Sequence, residues 1–174
     1  KIIGFARRSQ GLMVAPGIIR AQENKPKLNI GLIGLSGKGA SNLAGVLSEN
    51  IVALCDVDEN NAAKARSAHP KAKFFQDYRK LIDIKELDAI VVSTPDHVHA
   101  VQAIAVMQSG RPVYCEKPLA HSVLEVRKMV KIANEKGLVT QMGTQIHAGN
   151  NYRRVVEIIQ AGVLGEINRV QVWV

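Results

Sequence analysis

Residues 28–39 read Leu-Asn-Ile-Gly-Leu-Ile-Gly-Leu-Ser-Gly-Lys-Gly, an apolar run followed by a glycine-rich segment. The apolar run from Leu28 to Ile33 predicts a short buried strand, and Gly34 marks a sharp turn at its end. Apolar residues then recur at a spacing of three and four, as on one face of a helix: Ala40, Leu43, Ala44 and Leu47. A strand, a glycine-rich turn and a helix in this order are typical of the first unit of a parallel α/β sheet.

The same alternation continues along the chain. Strands are predicted at 51–55, 73–75, 88–93, 112–115 and 138–142, and helices at 59–68, 78–82, 97–109, 123–136 and 150–161. Asp77 and Asp96 are expected to cap the second and third of these helices, and Ser122 with Glu125 is expected to form a capping box at the start of the fourth. Strands that are apolar on both faces and alternate with helices predict an α/β fold with a doubly wound, mostly parallel Rossmann-type sheet.

The end of the chain has a different pattern. Residues 167–174 alternate apolar and polar side chains, which predicts the first strand of a separate α+β domain with one solvated face. We therefore divide the chain into a leader or linker at 1–27, a nucleotide-binding domain at 28–148, and the start of a substrate-binding C-terminal domain at 149–174.

The glycine loop has the spacing of a dinucleotide-binding turn, written G-x-S-x-x-G. Gly34 would make the tight bend, and Gly39 would let the helix and strand pack closely. Ser36 stands where a second glycine usually lets the backbone approach a pyrophosphate, and Gly37 beside it keeps that backbone permissive. The start of the following helix would offer its amide groups to the phosphates. A purely structural turn is the alternative interpretation.

Asp56 directly follows the second strand, 22 residues after Gly34. The dinucleotide fingerprint places an acid at about this distance, where it binds the adenosine ribose. A carboxylate there repels a 2′-phosphate, so we expect NAD, with NADP possible because Lys38 could moderate the preference. A helix cap before Glu59 is the alternative role for Asp56.

Three polar clusters follow three successive strands. They are Thr94-Pro95-Asp96-His97-Val98-His99, Glu116-Lys117-Pro118 and Gly143-Thr144-Gln145. Ligands of open α/β sheets bind outside the carboxyl ends of the strands, so these clusters are expected at the ligand-binding edge. Each cluster alone would be unremarkable, as a cap, a first helical turn or a surface charge.

In these motifs the sequence resembles the Gfo/Idh/MocA oxidoreductase family. The resemblance covers 28–174 and depends most on the glycine loop, on T-P-D-H-V-H at 94–99 and on Y-C-E-K-P-L at 114–119. Shorter matches at 55–58, 143–145, 152–154 and 162–165 add to it. Two positions depart from the family pattern: Ser36 replaces the usual glycine, and Asp96 stands where many members have Asn.

The resemblance implies hydride transfer between a sugar, polyol or inositol-type hydroxyl and NAD(P). It implies that Lys117 lies near the nicotinamide, hydrogen-bonds the substrate hydroxyl and assists its deprotonation, which makes Lys117 the candidate catalytic residue. The family's other catalytic group, commonly a histidine with a nearby aspartate, lies in the second domain, so no general base is assigned here.

The remaining implied roles concern the cofactor. Glu116 would help to place it, Thr94 and Pro95 would pack along the nicotinamide ribose and ring, and Gln145 would reach toward the carboxamide, while Asp96 and His99 brace the loop. The full set of expected cofactor-binding residues is Gly34, Ser36, Gly37, Lys38, Gly39, Asp56, Thr94, Pro95, Asp96, His99, Glu116 and Gln145.

Two alternatives stay open. Some relatives hydrolyse or epimerise glycosides by transient oxidation with bound NAD, and such an enzyme releases no net NADH. A non-catalytic NAD(H)-binding module would need the glycine loop and Asp56 but not Lys117. The resemblance also implies a small carbohydrate-type substrate and a homo-oligomer in the full-length protein.

Charge and composition exclude other classes of function. The net charge is +8, but residues 1–28 carry six basic residues and one acid, so the folded body is only mildly basic. Aromatic residues make up 4%, too few for a base-stacking platform, so nucleic-acid binding is not expected. Cys55 and Cys115 have no zinc-type spacing, and we expect them to be buried free thiols. No apolar run is long enough for a membrane helix.

The first 27 residues have the sequence pattern of an export signal. The pair Arg7-Arg8 precedes a short apolar run at 11–19, as in a twin-arginine leader, although Pro16 and two glycines interrupt that run. A disordered basic tail is the alternative, so an exported and a cytoplasmic location both stay open.

Overall fold

The structure is a computed structural model that describes residues 26–144 and 149–173. Six strands form one sheet: β1 (Asn29–Ile33), β2 (Asn50–Cys55), β3 (Lys73–Phe75), β4 (Ala89–Val92), β5 (Val113–Glu116) and β6 (Thr140–Gly143). Six helices accompany them: α1 (Lys38–Gly45), α2 (Glu59–Ala68), α3 (Tyr78–Ile82), α4 (His99–Gln108), α5 (Val123–Lys136) and α6 (Asn150–Gln160). The strand order is β3-β2-β1-β4-β5-β6 and every pairing is parallel, which confirms the predicted Rossmann-type sheet.

Two apolar cores lie on opposite faces of the sheet because successive strand residues point to opposite sides. One core packs α1 and α2 against the first strands through Leu43, Ala62 and Ala65. The other packs α3, α4 and α5, with Leu81, Val106 and Met129 among its buried residues. Because every strand pairing is parallel, the carboxyl ends of all six strands lie at one edge of the sheet, where the polar clusters follow.

Helix α1 is shorter than the sequence suggests, and it buries a different face. The predicted stripe of Ala40, Leu43, Ala44 and Leu47 is wrong except at Leu43, since Leu47 lies beyond the helix and is 55% exposed. Gly39 and Leu43 are the buried residues of α1 instead. The helix must present Gly39 inward because its first turn lies directly on the loop that leaves β1.

The helix caps follow the predicted pattern with one exception. Asp77 caps α3, and Ser122 forms a capping box with Glu125 at the start of α5, both as predicted. Asp96 does not cap the helix that follows it. A 3-10 turn at Asp96–Val98 comes first, the Asp96 carboxylate accepts from the adjacent His97 amide at 2.8 Å, and α4 begins only at His99.

The predicted strand at Ile167–Val174 does not form over the described residues 167–173. A strand is defined by its hydrogen-bonded neighbour, and none of the described residues pairs with this segment. Helix α6 precedes it, and its apolar residues Val155, Val156 and Ile159 are 38–46% exposed. Val174 and residues 1–25 of the proposed leader lie outside the described residues.

The approach of α1 to β1 leads to a stability prediction at Gly39. A Cβ added there would fall on the backbone carbonyl oxygen of Gly34, which cannot move away without breaking the turn. Gly39→Ala should therefore lower the free energy of unfolding by about 1–3 kcal/mol, the usual cost of overpacking. Urea unfolding followed by circular dichroism measures this change.

Gly45→Ala is the matched control in the same helix. A Cβ at Gly45 meets no atom within 4 Å, so alanine should leave stability unchanged or raise it by up to about 1 kcal/mol. Equal destabilisation by both substitutions would contradict the close-packing role of Gly39.

Candidate cofactor and active site

Asp56 closes the glycine loop from the end of β2. Its carboxylate Oδ2 accepts from the Leu35 amide at 2.9 Å, and Oδ1 accepts from the Asp58 amide at 3.1 Å. Gly34 turns the chain with φ 87°, a conformation that favours glycine, and donates its own amide to Cys55 at 2.8 Å. The loop after β1 and the end of β2 are thus held to each other at the point where a dinucleotide would cross.

Asp56 does not cap α2, so that alternative is wrong. Asp58 caps the helix, with its side chain accepting from the Asn60 amide at 2.8 Å. A carboxylate has about four acceptor sites, and the two backbone donors use only two of them. Asp56 therefore retains acceptors for two ribose hydroxyls.

A cavity of about 340 Å³ opens beside Asp56, within the size range of small-molecule sites. It lies between the ends of β1, β2 and β4. Five of the predicted cofactor-binding residues line it: Gly34, Ser36, Asp56, Thr94 and Pro95. The structure thus brings three features around one cavity: the glycine loop at 34–39, the Asp56 carboxylate and the loop at 94–99, which we call the T-P loop.

Glu116 is the centre of a second, buried cluster at the end of β5. It is 3% exposed, and Oε1 accepts from the Asn42 amide at 3.0 Å and from the Tyr114 hydroxyl at 3.4 Å. The Lys38 ammonium group lies 3.6 Å from the same oxygen. Asn42 also donates to the Ser93 hydroxyl at 2.8 Å, so α1 is tied to the ends of β4 and β5.

The charge of Glu116 is favoured by this cluster. Burial alone would raise the pKa of Glu116, but the hydrogen bonds from Asn42 and the Lys117 amide, with the nearby Lys38 charge, outweigh it. The net effect lowers the pKa of Glu116. Burial and the adjacent Glu116 carboxylate raise the pKa of Tyr114, which keeps its hydroxyl proton available for donation.

His99 connects the T-P loop to the turn at 116–118, which we call the E-K-P turn. His99 lies at the start of α4, on the face of the sheet opposite to α1. Its ring nitrogens lie 2.6 Å from the Pro118 carbonyl oxygen and 2.7 Å from the Thr94 carbonyl oxygen. The Thr94 hydroxyl donates to the side-chain oxygen of buried Gln102 at 2.6 Å. Side chains of α4 therefore hold both loops in place.

Lys117, the candidate catalytic residue, lies between Glu116, which accepts from Asn42, and Pro118, whose carbonyl is bound by His99. It is exposed, and its backbone amide donates to Glu116 Oε2 at 3.2 Å. The Lys117–Pro118 peptide bond is cis. Asp96 is exposed beside the cavity, and Gln145 lies outside the described residues.

Three residues near the site escaped the sequence analysis: Asn42, Gln76 and Gln102. Tyr114 was part of the Y-C-E-K-P-L motif but was given no role. Gln76 follows β3 and lines the cavity, so the strand-end rule applied to the third strand would have found it. Asn42 and Gln102 lie on helices, one turn beyond a motif, and no pattern in a single sequence distinguishes them from other polar helix residues.

The two cysteines are buried and free, as predicted. Burial, with a smaller contribution from the neighbouring carboxylates, raises the pKa of both thiols to about 12. Within residues 26–144 and 149–173, no group of three or more His, Cys, Asp or Glu side chains could hold a metal ion. No helix in that part of the chain is long and apolar enough to cross a membrane.

Comparison with known proteins gives a match to one family. The model of GFO_IDH_MocA, described as an oxidoreductase family with an NAD-binding Rossmann fold, matches residues 28–144. Inositol 2-dehydrogenase 2 of Saccharopolyspora erythraea is 32% identical over 79% of this chain and 42% of its own length. A glycosyl hydrolase family 109 protein of Solibacter usitatus is 30% identical over 92% of this chain and 40% of its own.

The fold is shared with solved structures. The crystal structure of myo-inositol 2-dehydrogenase from Lactobacillus plantarum has a TM-score of 0.74 and 28% identity, covering 82% of this chain and 43% of that one. The chain thus spans about two fifths of the length of the curated relatives it matches.

The lowered pKa of Glu116 leads to a pH-dependent stability prediction. Because the folded state favours the carboxylate, Glu116 stabilises the fold above the ordinary glutamate range, and this contribution is lost as pH falls through the lowered pKa. Glu116→Gln should therefore cost about 1–3 kcal/mol at neutral pH, and less in acid. Urea unfolding of both proteins across this pH range measures the difference.

Glu135→Gln is the control, since Glu135 makes an exposed pair with Lys131 on α5. Its effect should be small at every pH. A difference between wild type and Glu116→Gln that stays constant from neutral to acid pH would show that the buried charge is not what stabilises the cluster.

Proposed function

Since the chain belongs to the Gfo/Idh/MocA oxidoreductase family, with its NAD-binding Rossmann fold, we propose that it is the cofactor-binding part of a dehydrogenase. The reaction is hydride transfer between NAD and a hydroxyl of a sugar, polyol or inositol. The observation that carries the proposal is the Asp56 carboxylate held against the glycine loop at the mouth of the cavity.

The residues present fit NAD by their chemistry. Gly34 has no room for a side chain, because a Cβ there would lie 2.5 Å from the Ser93 carbonyl oxygen, and the first turn of α1 offers backbone amides to phosphate. Asp56 would accept from the adenosine ribose hydroxyls, and Ser36 would help to hold the pyrophosphate. NAD, when bound, supplies a nicotinamide carbon that accepts a hydride.

The chain's own contribution is to place groups and move a proton. Lys117 hydrogen-bonds the substrate hydroxyl and assists its deprotonation, while Glu116, Thr94 and Pro95 position the nicotinamide end of the cofactor. Asp96, His99 and Gln145 complete this side of the site, and Gly37, Lys38 and Gly39 complete the phosphate side. Residues 149–174 begin the substrate-binding domain, and the exposed apolar face of α6 supports this assignment.

A second candidate is NAD-dependent hydrolysis or epimerisation of a glycoside by transient oxidation. The similarity to the glycosyl hydrolase family 109 protein supports it. Both candidates use the same hydride transfer, but only the dehydrogenase accumulates NADH. Product analysis of the full-length protein with sugars, inositols and glycosides, with and without added NAD⁺, separates them.

Asp56 should set the choice between NAD and NADP. Asp56→Ala removes the ribose acceptor and the charge that repels a 2′-phosphate, so NAD⁺ affinity should fall about tenfold or more while the NAD⁺/NADP⁺ preference narrows. Titration calorimetry with both cofactors measures the two dissociation constants.

Asp58→Ala removes an equal charge two residues away and only uncaps α2. It should lower stability by about 1 kcal/mol and leave NAD⁺ affinity nearly unchanged. If Asp56→Ala binds NAD⁺ as tightly as wild type, the proposed cofactor site is wrong.

Lys117 should matter for turnover rather than for cofactor binding. In the full-length protein, Lys117→Ala should lower kcat by about 10²–10⁴, the usual range for a proton-transfer group, with NAD⁺ affinity nearly intact. Lys85→Ala, an exposed lysine away from the cavity, should change neither quantity. Full turnover in Lys117→Ala would remove this lysine from the mechanism.

A further inference from the structure

The imidazole ring of His99 is 1% exposed and lies between two backbone carbonyl groups. Nδ1 is 2.6 Å from the Pro118 oxygen, and Nε2 is 2.7 Å from the Thr94 oxygen. A carbonyl oxygen only accepts hydrogen bonds, so both ring nitrogens must donate. A neutral imidazole carries a single N–H, and its second nitrogen would direct a lone pair at a carbonyl oxygen.

Neither neutral tautomer removes this conflict. Moving the proton from one nitrogen to the other only moves the repulsion from Pro118 to Thr94. Turning the ring over would place carbon atoms against the carbonyls and supply no further N–H. The distances also fit a charged donor, since neutral N–H···O bonds centre near 2.9–3.0 Å and charge-assisted ones are shorter.

We propose that His99 is a buried imidazolium ion that donates from both ring nitrogens and so joins the Thr94–Pro95 loop to the turn that carries Lys117. It is a positioning residue, since its ring hydrogen-bonds only to backbone. The importance of His99 for catalysis rests on the proposed function, because these loops flank the nicotinamide and the substrate only if the protein is the proposed dehydrogenase. Its charge state rests on the two distances alone.

The charge is stabilised by carbonyl dipoles rather than by an ion pair. Among the residues that the structure describes, no carboxylate lies within 4.0 Å of the ring. In the turn before α4, Asp96 and His97 are exposed and contact each other. Glu116 engages Asn42 and Lys38 instead. An unpaired buried cation would be costly, and two hydrogen bonds offset that cost.

Among the described residues, none of the other ionisable side chains near α4 forms a hydrogen bond or an ion pair with the His99 ring. Lys117 and His121, beside Pro118, are exposed. On the helices packed against α4, the ionisable side chains are Tyr78, Arg79 and Lys80 of α3 and Glu125, Arg127, Lys128, Lys131, Glu135 and Lys136 of α5. Glu125 is held by the Ser122 amide and hydroxyl, Lys131 and Glu135 lie together, and Arg79 lies against Asp77, the cap of α3.

The test is a nitrogen spectrum of the ligand-free full-length protein labelled with ¹⁵N-histidine. Long-range ¹H–¹⁵N correlation distinguishes a protonated ring nitrogen from a bare one. At neutral pH the His99 ring should show two protonated nitrogens, with two N–H protons protected from exchange by burial. Single His→Gln substitutions at the other histidines of this chain, His69, His97, His121 and His147, help to assign the signals.

A second measurement asks whether the ring joins the two loops. In His99→Gln, amide hydrogen exchange should accelerate about tenfold or more at both 96–98 and 117–119, as expected for loss of a charged hydrogen bond. His97→Gln is the matched control and should leave both segments unchanged, because His97 is exposed. Faster exchange in only one of the two segments would overturn the joining role.

A bare nitrogen on the His99 ring at neutral pH would overturn the proposal whether or not the protein is a dehydrogenase. Conversely, loss of NAD⁺ binding or turnover has no effect on the expected spectrum. The two failures are therefore distinguishable.

Discussion

The close approach of the start of α1 to the end of β1 sets the geometry of the glycine loop and of the residues around it. The contact between Gly39 and the Gly34 carbonyl leaves no space for a side chain, so the helix begins directly on the turn. This placement lets the Leu35 amide reach the Asp56 carboxylate, and it brings Asn42 within reach of Glu116. A looser approach would separate the glycine loop, Asp56 and Glu116, which together outline the proposed cofactor site.

The E-K-P turn is held from both sides of the sheet. On the α1 face, Glu116 is bound by Asn42 and Lys38, and on the α4 face the Pro118 carbonyl is bound by His99. Lys117 lies between them with its backbone fixed and its side chain exposed. The backbone that carries the Lys117 side chain is thereby fixed, which would limit the conformational entropy lost in the substrate contact that we propose for Lys117.

The sequence predicted those features that arise from local periodicity and from the order of elements. The sheet, the position of Asp56 after β2 and the capping box at Ser122 needed no knowledge of distant contacts. The prediction of which face of α1 is buried was wrong. Gly39 packs closely against the turn, and this contact, rather than the number of apolar residues on a face, determines which side of the helix faces the sheet. Asn42 and Gln102 were missed because their partners lie 74 and 8 residues away in the chain, on other elements. The predicted strand at 167–173 does not form, because alternating apolar and polar residues indicate only a half-buried segment. A strand also needs a neighbouring strand with which to form hydrogen bonds.

The positions of the two thiols determine whether the sheet can be cross-linked. Cys55 lies in β2 and Cys115 in β5, with β1 and β4 between them. Three strand spacings separate them by roughly 14 Å, twice the roughly 7 Å that a disulfide can span. Since both sulfurs are also buried and held in the unreactive protonated form, no cross-link can form between them in the native sheet. The packing of β2 and β5 therefore depends on no disulfide between these two cysteines, whatever the redox state of the solution.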